Sequence, residues 1–153
     1  MHKIDGGYMI VSQYPQIVLH DGFVKKIIVD NESIIFVFDE KNGFWVKNEG
    51  TYYRAKKSYL SVKLKDYDSY KTINKKTHPV LKVWSYSVYC ETTIDRINKE
   101  ILNSEFQIVD ELYSPDSMFI IAHLGLRGMC YTYIEGTDLF YHWEGLDYNN
   151  KMY

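Results

Sequence analysis

The sequence has few cysteines, with Cys90 and Cys130 the only two among its 153 residues. Two cysteines cannot build the several disulfides of a small secreted domain, and no cysteine or histidine spacing matches a zinc site. Both lie in strand-like segments, where a reduced cysteine usually packs as a small apolar side chain. We therefore expect two buried thiols, no bound metal and no cofactor.

Long apolar runs are also missing. No stretch of about 18 apolar residues could cross a bilayer, and the apolar block at residues 8–11 is too short for a secretory signal. These absences predict a cytoplasmic protein without a membrane partner. The chain length and the 46% hydrophobic content are typical of one globular domain over residues 1–153. For residues 1–15 two alternatives stay open, an edge strand or a loosely held arm.

Positive charge is scarce in the second half of the chain. Residues 81–153 hold 5 Lys and Arg against 11 Asp and Glu, a net charge of −6, whereas residues 1–80 hold 13 against 9, a net charge of +4. Such a split suits either two faces with different partners or attraction between two halves of one fold. The second interpretation is the simpler one.

Helical periodicity is nearly absent as well, which indicates a mainly β protein. Apolar residues at helical spacing from Ile94 to Leu102 predict one helix near residues 93–104. About nine other segments have strand patterns, beginning with a hairpin over residues 17–39, and Gly136-Thr137 indicates a tight turn near the end. We therefore predict a mainly β (α+β) fold: an antiparallel curved sheet, a sandwich or an open barrel, with the helix inserted late.

Aromatic side chains, in contrast, are abundant, with 15 Tyr, 7 Phe and 3 Trp. This number exceeds the needs of a core of this size, and Tyr is the aromatic residue that often lies half exposed with a hydrated hydroxyl. From Glu91 to Asp147, aromatic side chains lie among carboxylates such as Asp110 and Glu111, a composition that suits docking on a basic protein partner. The predicted binding surface comprises Tyr131, Tyr133, Glu135, Asp138, Tyr141, Trp143 and Glu144.

Histidines are the candidate general bases of an alternative small-ligand or enzymatic site in a β pocket. The residues of this alternative pocket are His20, Asp21, His123 and His142. Adjacent side chains on an extended chain point to opposite faces, so His20 and Asp21 are not expected to form a dyad by themselves. A structural role at the start of the first strand is favoured. No nucleophile motif accompanies the histidines, so an enzyme is not the favoured interpretation.

A basic, tyrosine-rich segment over residues 54–76 is the basis of a third alternative. Lysines and tyrosines are interleaved here, against only Asp66 and Asp68 as acidic residues. Such a surface can follow a phosphate backbone and stack bases. Because the whole chain carries a net charge of −2, nucleic-acid binding is disfavoured, and a solvated strand face followed by a polar loop is the simpler interpretation.

The opening hairpin carries a resemblance to known families. The run Leu19-His20-Asp21-Gly22, followed by Val24, Ile27 and a second hydrophobic strand, resembles the start of several small bacterial β-rich families of unassigned function. Some of these families are grouped with immunity proteins of toxin systems. The resemblance implies a cytoplasmic binder that neutralises a partner protein, and it implies no catalytic residue. The leading hypothesis is a non-enzymatic protein-interaction module of the immunity type.

Overall fold

The computed structural model describes residues 8–10, 16–30, 32–64, 80–85, 88–125 and 128–152. Within these ranges the chain forms thirteen strands and one helix, which confirms the predicted mainly β fold with a single late helix. The elements are β1 (Tyr8–Ile10), β2 (Ile17–Val18), β3 (Val24–Asp30), β4 (Ser33–Phe38), β5 (Trp45–Asn48), β6 (Thr51–Lys56), β7 (Tyr59–Leu64), β8 (Val80–Ser85), β9 (Val88–Thr93), α1 (Ile94–Asn103), β10 (Phe106–Ser114), β11 (Ser117–Leu124), β12 (Gly128–His142) and β13 (Gly145–Met152).

The strands form two antiparallel sheets. In the larger sheet of nine strands, β10, β11, β12, β7, β4 and β3 follow one another in that order. Strands β1 and β8 also pair with β12, and β9 pairs with β8. The smaller sheet has the order β13-β6-β5-β2. Of the three predicted alternatives, a curved sheet, a sandwich or an open barrel, this arrangement of two antiparallel sheets fits a curved sandwich.

Strand β12 joins the two halves of the large sheet. Its first half pairs with β11 and β8, and its second half pairs with β7 and β1. The turn predicted at Gly136-Thr137 is wrong, because the strand continues through both residues. Gly136 serves close packing instead: a Cβ at this position would lie 2.6 Å from the carbonyl oxygen of Lys63 on β7.

A β-bulge at Asp138 exchanges the inward and outward faces of β12. Asp138 has a φ of 50°, and the register with β7 shifts between Thr137 and Leu139. One inserted residue moves every later side chain to the opposite face of a strand. Even-numbered residues are therefore buried before the bulge and odd-numbered residues after it. The buried residues are Cys130, Thr132 and Ile134 before the bulge, and Leu139, Tyr141 and Trp143 after it.

Phe44, just before β5, lies at the centre of the aromatic core that joins the two sheets. Its ring makes edge-to-face contacts with Phe38, Tyr141 and Trp143, at centroid distances of 5.4, 5.9 and 6.0 Å. Phe38 and Tyr141 belong to the large sheet, whereas Phe44 leads into the small one. Each such pair contributes about 0.5–1.5 kcal/mol beyond the burial of its area.

Helix α1 covers β3, the last strand along the large sheet. The helix buries its three isoleucines, while Leu102 lies outside their stripe and is 83% exposed, so its predicted place on the apolar face is wrong. The backbone N–H of Ile27 donates to Oδ1 of Asn98 at 2.8 Å, and Nδ2 of Asn98 donates to the Ile27 carbonyl at 2.7 Å. The helix thereby pairs peptide groups on an edge strand, which is one way that proteins protect sheet edges.

Strands β3 and β10 stand at the two ends of the strand order of the large sheet. The chain segment just before β3 connects them, because it is hydrogen-bonded to β10. The N–H of Asp21 donates to the carbonyl of Ile108 at 2.8 Å, and the N–H of Ile108 donates to the carbonyl of Gly22 at 2.9 Å. Phe23 and Gln107 form an isolated antiparallel bridge. The chain over residues 21–23 therefore binds the start of β10 before it enters β3.

Candidate binding surface

An apolar patch lies on the outward face of β10, β11 and β12. The register places Leu112, Phe119 and Tyr133 in one row across the three strands, and Ile121 beside Tyr131 in the next row. Leu112 is 55% exposed and Tyr131 is 41% exposed, and the rings of Phe119 and Tyr133 lie 4.8 Å apart. We call these five residues the outer patch. Large apolar side chains grouped on an exposed face are typical of a protein-binding site.

Three carboxylates surround the outer patch. Asp110 stands on β10 at the register position beside Ile121, and Asp116 lies in the exposed turn between β10 and β11. Glu135 follows Tyr133 on the outward side of β12, and the Tyr133 hydroxyl donates to Oε1 of Glu135 at 3.3 Å. The patch therefore combines apolar area with acceptor groups at its border.

The charge balance of this region is acidic. From residue 106 to residue 135 the sequence contains the three carboxylates at the border of the patch and one Lys or Arg, Arg127. Strand β8 borders the patch along the other edge of β12, with Lys82 at the register position opposite Tyr133. An excess of carboxylates raises the rate at which a basic surface encounters the patch.

Two aromatic residues predicted to belong to the binding surface lie in the core instead. Tyr141 and Trp143 are both 0% exposed, so the prediction is wrong for this pair. The bulge at Asp138 is the physical reason, because it turns the odd-numbered residues of β12 inward. Phe140 and His142 take the outward positions that the sequence pattern assigned to their neighbours.

The remaining predicted surface residues are exposed but lie apart from the outer patch. Asp138 is exposed at the bulge, beyond Glu135 along β12. Glu144 follows the end of β12, and its Oε2 lies 3.6 Å from Nζ of Lys57. Since both side chains of that pair are more than half exposed, it contributes little to stability. Of the seven predicted residues, Tyr131, Tyr133 and Glu135 are therefore the ones that the structure brings together.

His20 and Asp21 do contact each other. Asp21 has a φ of 62°, so the chain turns here, and the expectation that adjacent side chains point apart is wrong at this position. Nε2 of His20 lies 3.2 Å from Oδ2 of Asp21, and Nδ1 lies 2.5 Å from the carbonyl oxygen of Val109. Both ring nitrogens therefore face acceptor oxygens within the fold, and the ring connects Asp21 to the backbone of β10.

The other two histidines of the alternative pocket are far from each other along β12. His123 is opposite Met129 at one end of the strand, whereas His142 is its last residue. The ring of His142 stacks on Tyr59 at a centroid distance of 4.8 Å. The described residues therefore do not bring the three histidines into one site.

Glu111 is a buried carboxyl group that the sequence placed on the acidic surface. It is 7% exposed, because an irregularity in β10 between Ile108 and Asp110 turns it inward. Burial raises the pKa of Glu111 to about 7, although hydrogen bonds to its charged form oppose this rise. The Tyr113 hydroxyl donates to Oε2 at 2.5 Å and the N–H of Leu19 donates to Oε1 at 2.9 Å.

This carboxyl group anchors the chain before β3 to β10. The Tyr113 hydroxyl also lies 3.2 Å from that of Tyr141, and burial raises the pKa of Tyr113. One feature of the sequence indicates the contact between Glu111 and Tyr113. The two residues are two positions apart and therefore share a face of a strand. The signal is weak, because it does not show which face is buried.

Arg54, the first cation of the basic segment, is also buried. Its Nη1 donates to the carbonyl oxygens of Asp21 at 2.7 Å and Gly43 at 2.9 Å, and its guanidinium lies 4.1 Å from the ring of Trp45. Burial lowers the pKa of Arg54. Arg54 therefore holds the fold together and is unavailable to a nucleic acid. In the rest of the segment, Lys56, Lys57 and Lys63 are exposed, and residues 65–76 lie outside the described ranges.

Neither a metal site among the described residues nor a similar known protein points to a function for this chain. In the part of the chain that the structure describes, no three His, Cys, Asp or Glu side chains are grouped so that they could hold a metal ion. None of the described helical segments has the length and apolar character needed to span a membrane. Comparisons with protein-family models, curated proteins and solved structures find no match for this chain.

Proposed function

We propose that this chain is a non-enzymatic protein-interaction module that binds a basic protein through the outer patch. In keeping with the resemblance of its opening hairpin, it acts as an immunity-type protein, which neutralises its partner by covering a functional surface. The observation that carries the proposal is the outer patch itself. Of its five large side chains, Leu112 and Tyr131 are exposed and the other three are partly exposed, and the patch is bordered by Asp110, Asp116 and Glu135.

The aromatic and aliphatic side chains of the patch are suited to act as anchors. Tyr131 and Leu112 are the most exposed of the five, so a partner would remove the largest apolar area from water at these two positions. Hot-spot residues of this kind typically cost about 2 kcal/mol or more of binding energy when truncated. The carboxylates at the border contribute mainly to the association rate and to the choice of a basic partner.

The strands beneath the patch are suited to hold these anchors in place. β11 and β12 pair in an uninterrupted register from Ser117 opposite Glu135 to Leu124 opposite Gly128. A face held on such a ladder needs little ordering when it binds, which lowers the entropic cost of association. A rigid face suits occlusion, in which the partner is blocked rather than modified.

The experiment captures proteins from the lysate of the organism of origin with the tagged chain, at low and at moderate salt. Wild type is compared with Tyr131→Ala and Glu135→Lys, and with Glu40→Lys as a control. Glu40 is exposed in the connection between β4 and β5, so its reversal changes the net charge equally without altering the patch. Bound protein and bound nucleic acid are both identified.

We expect wild type and Glu40→Lys to retain one basic protein in stoichiometric amount, which elutes as salt rises. We expect both patch variants to lose that protein. If the patch variants retained as much of it as wild type, the partner would bind elsewhere and the proposal would be wrong. Recovery of nucleic acid alone would also contradict it.

A further inference from the structure

A buried pair of stacked side chains lies on the small sheet, whereas the outer patch belongs to the large one. Trp45 on β5 and Arg54 on β6 are directly opposite each other in the register, and the guanidinium of Arg54 lies 4.1 Å from the centroid of the Trp45 ring. Trp45 is 5% exposed and Arg54 is 8% exposed. We call this pair the guanidinium stack. A cation over an aromatic face is attracted to it, but the ring does not neutralise the positive charge.

The positive charge of Arg54 has no carboxylate partner among the described residues. Both ion pairs found there involve other residues. Nη1 of Arg54 donates to the carbonyl oxygens of Asp21 and Gly43, which are dipoles rather than charges. A buried charge is normally paired, because its removal from water is costly.

Two carboxylates of the surrounding chain bind other groups instead of Arg54. Asp147 is the register neighbour of Arg54 on β13, but its Oδ1 accepts a backbone N–H further along the same strand at 3.1 Å. Asp21 acts on Arg54 at longer range, while its carboxylate contacts His20 and accepts from Nε2 of Gln107 at 3.2 Å. The fold therefore buries a cation here and directs these carboxylates elsewhere.

Both members of the guanidinium stack also have a buried N–H without an acceptor. In the part of the chain that the structure describes, three buried side-chain polar atoms have no hydrogen-bond partner. Two of them belong to the stack, Nε1 of Trp45 and Nε of Arg54, and the third is Oγ of Ser58. An unpaired buried donor is costly, and such a group calls for an ordered ion or water as its partner. Because the two side chains are stacked, one acceptor at the edge of the stack can contact both N–H groups.

We propose that the guanidinium stack binds one chloride ion, which accepts hydrogen bonds from Nε1 of Trp45 and Nε of Arg54 and compensates the guanidinium charge. Indole and guanidinium groups are donors only, which favours an anion over a cation. A monatomic anion suits two buried N–H groups, because it needs less room than an oxyanion such as phosphate. A water molecule accepts the same hydrogen bonds but leaves the charge uncompensated. This site is independent of the outer patch, and neither proposal depends on the other.

The bound ion has a structural role. Arg54 holds the carbonyl groups of Asp21, before β3, and Gly43, before β5, so an ion that fixes the guanidinium also fixes this contact between the small sheet and the chain that enters the large one. A ligand that binds only the folded state raises its stability as the ligand concentration rises. We therefore expect the midpoint of thermal unfolding to rise as chloride replaces gluconate at constant ionic strength.

The direct test is a chloride titration of the uniformly ¹⁵N-labelled full chain, in which sodium chloride replaces sodium gluconate at constant ionic strength. NMR spectra report the indole N–H of each tryptophan and the Nε–H of arginine, so both proposed donors are observed. We expect the signals of Trp45 and Arg54 to shift along a curve that saturates. The indole N–H of Trp143, which is buried against Phe44 in the aromatic core, is the internal reference and should not follow that curve.

Two variants locate the ion. Trp45→Phe retains an aromatic face for the guanidinium and removes the Nε1–H, so it should weaken the chloride affinity reported by the Arg54 signal by about tenfold or more, the loss typical of one hydrogen bond to a charged group. It also identifies the Trp45 indole signal by its absence. Lys56→Gln is the matched control, because Lys56 is an exposed cation on the same strand. This variant should bind chloride as wild type does.

Several results would overturn the proposal. Signals of Trp45 and Arg54 that do not respond to chloride would show that water alone satisfies the two N–H groups. A response that does not saturate, or one that Trp143 shares, would be a general effect of salt. An unweakened response of Arg54 in Trp45→Phe would place the ion elsewhere. If Trp45→Phe fails to fold, the comparison of Arg54 with Trp143 in wild type still decides between a bound ion and a general effect of salt.

Discussion

The two halves of β12 both contain aromatic residues but direct them to opposite faces of the sheet. Before Asp138, the aromatic residues Tyr131 and Tyr133 lie on the outward face, and after it Tyr141 and Trp143 are completely buried. The difference arises from one inserted residue at the bulge. One long strand can therefore present aromatic side chains on an exposed face and also fill the centre of the core, provided that a bulge between the two parts exchanges the inward and outward faces.

Deletion of Asp138 is the most severe test of this comparison. Without the extra residue, Tyr141 and Trp143 would have to point outward or the pairing of the first half would have to shift. Either change removes several large side chains from the core, at about 1.5–3 kcal/mol for each buried side chain. Because domains are stable by only about 5–15 kcal/mol, we expect the deletion variant to lose cooperative thermal unfolding, monitored by circular dichroism.

The substitution Asp138→Gly is the control for that deletion. Glycine adopts a positive φ without a steric cost, and Asp138 has a φ of 50°. The bulge is therefore retained, and we expect a free energy of unfolding equal to that of wild type or up to about 1 kcal/mol higher. If the deletion variant unfolded cooperatively, with the same thermal midpoint as Asp138→Gly, the bulge would not determine which residues of β12 point inward.

Matched truncations of one aromatic residue in each half sharpen the comparison. Trp143→Ala should lower the free energy of unfolding by about 3–5 kcal/mol, because it leaves a cavity in the core. Tyr131→Ala removes an exposed side chain and should cost less than about 1 kcal/mol. Urea denaturation of both variants measures the difference. Similar losses in the two variants would contradict the assigned burial.

Strand β10 offers the same comparison for two adjacent carboxyl groups, because Asp110 is exposed and Glu111 is buried. The pKa of Glu111 is about 7 in the folded chain, against an ordinary value of 4.5. Between these pH values the folded state retains a proton that the unfolded state has released, so this group makes stability fall as pH rises. The expected loss is about 3 kcal/mol between pH 4.5 and pH 7.

Glu111→Gln should remove this contribution. The measurement is urea denaturation of wild type and Glu111→Gln at pH 5 and at pH 7.5, and the difference between the two proteins cancels the contribution of the other carboxyl groups. We expect the stability of wild type relative to the variant to fall as pH rises. Parallel pH profiles for wild type and Glu111→Gln would contradict the burial of the carboxyl group.

The sequence predicted the fold class because alternation and helical spacing are local patterns. The strand pattern over residues 59–65 and the isoleucines of α1 needed no knowledge of their partners. The bulge at Asp138 could not be predicted in this way, since Gly136-Thr137 also fits a turn and only the pairing of β12 with β7 decides between the two. The wrong predictions for Tyr141 and Trp143 both follow from the exchange of faces at this bulge.

The sequence was also uninformative about buried polar groups. Glu111 and Arg54 are charged residue types that usually lie on the surface. They are buried with the help of contacts that are far away in the sequence, Glu111 with Leu19 and Arg54 with Asp21. Long-range hydrogen bonds of this kind leave no periodic pattern. The contact between His20 and Asp21 was missed for a related reason, because nothing in the residue types showed that Asp21 has a positive φ.

The most direct test of the central claim compares two outward aromatic residues of β12 on either side of the bulge. The affinity of the captured basic partner is measured by calorimetry for wild type, Tyr131→Ala and Phe140→Ala. We predict that Tyr131→Ala weakens binding by about 30-fold, the loss typical of a hot-spot residue, and that Phe140→Ala changes the affinity by less than about threefold. Equal losses in the two variants, or a larger loss in Phe140→Ala, would contradict binding through the outer patch.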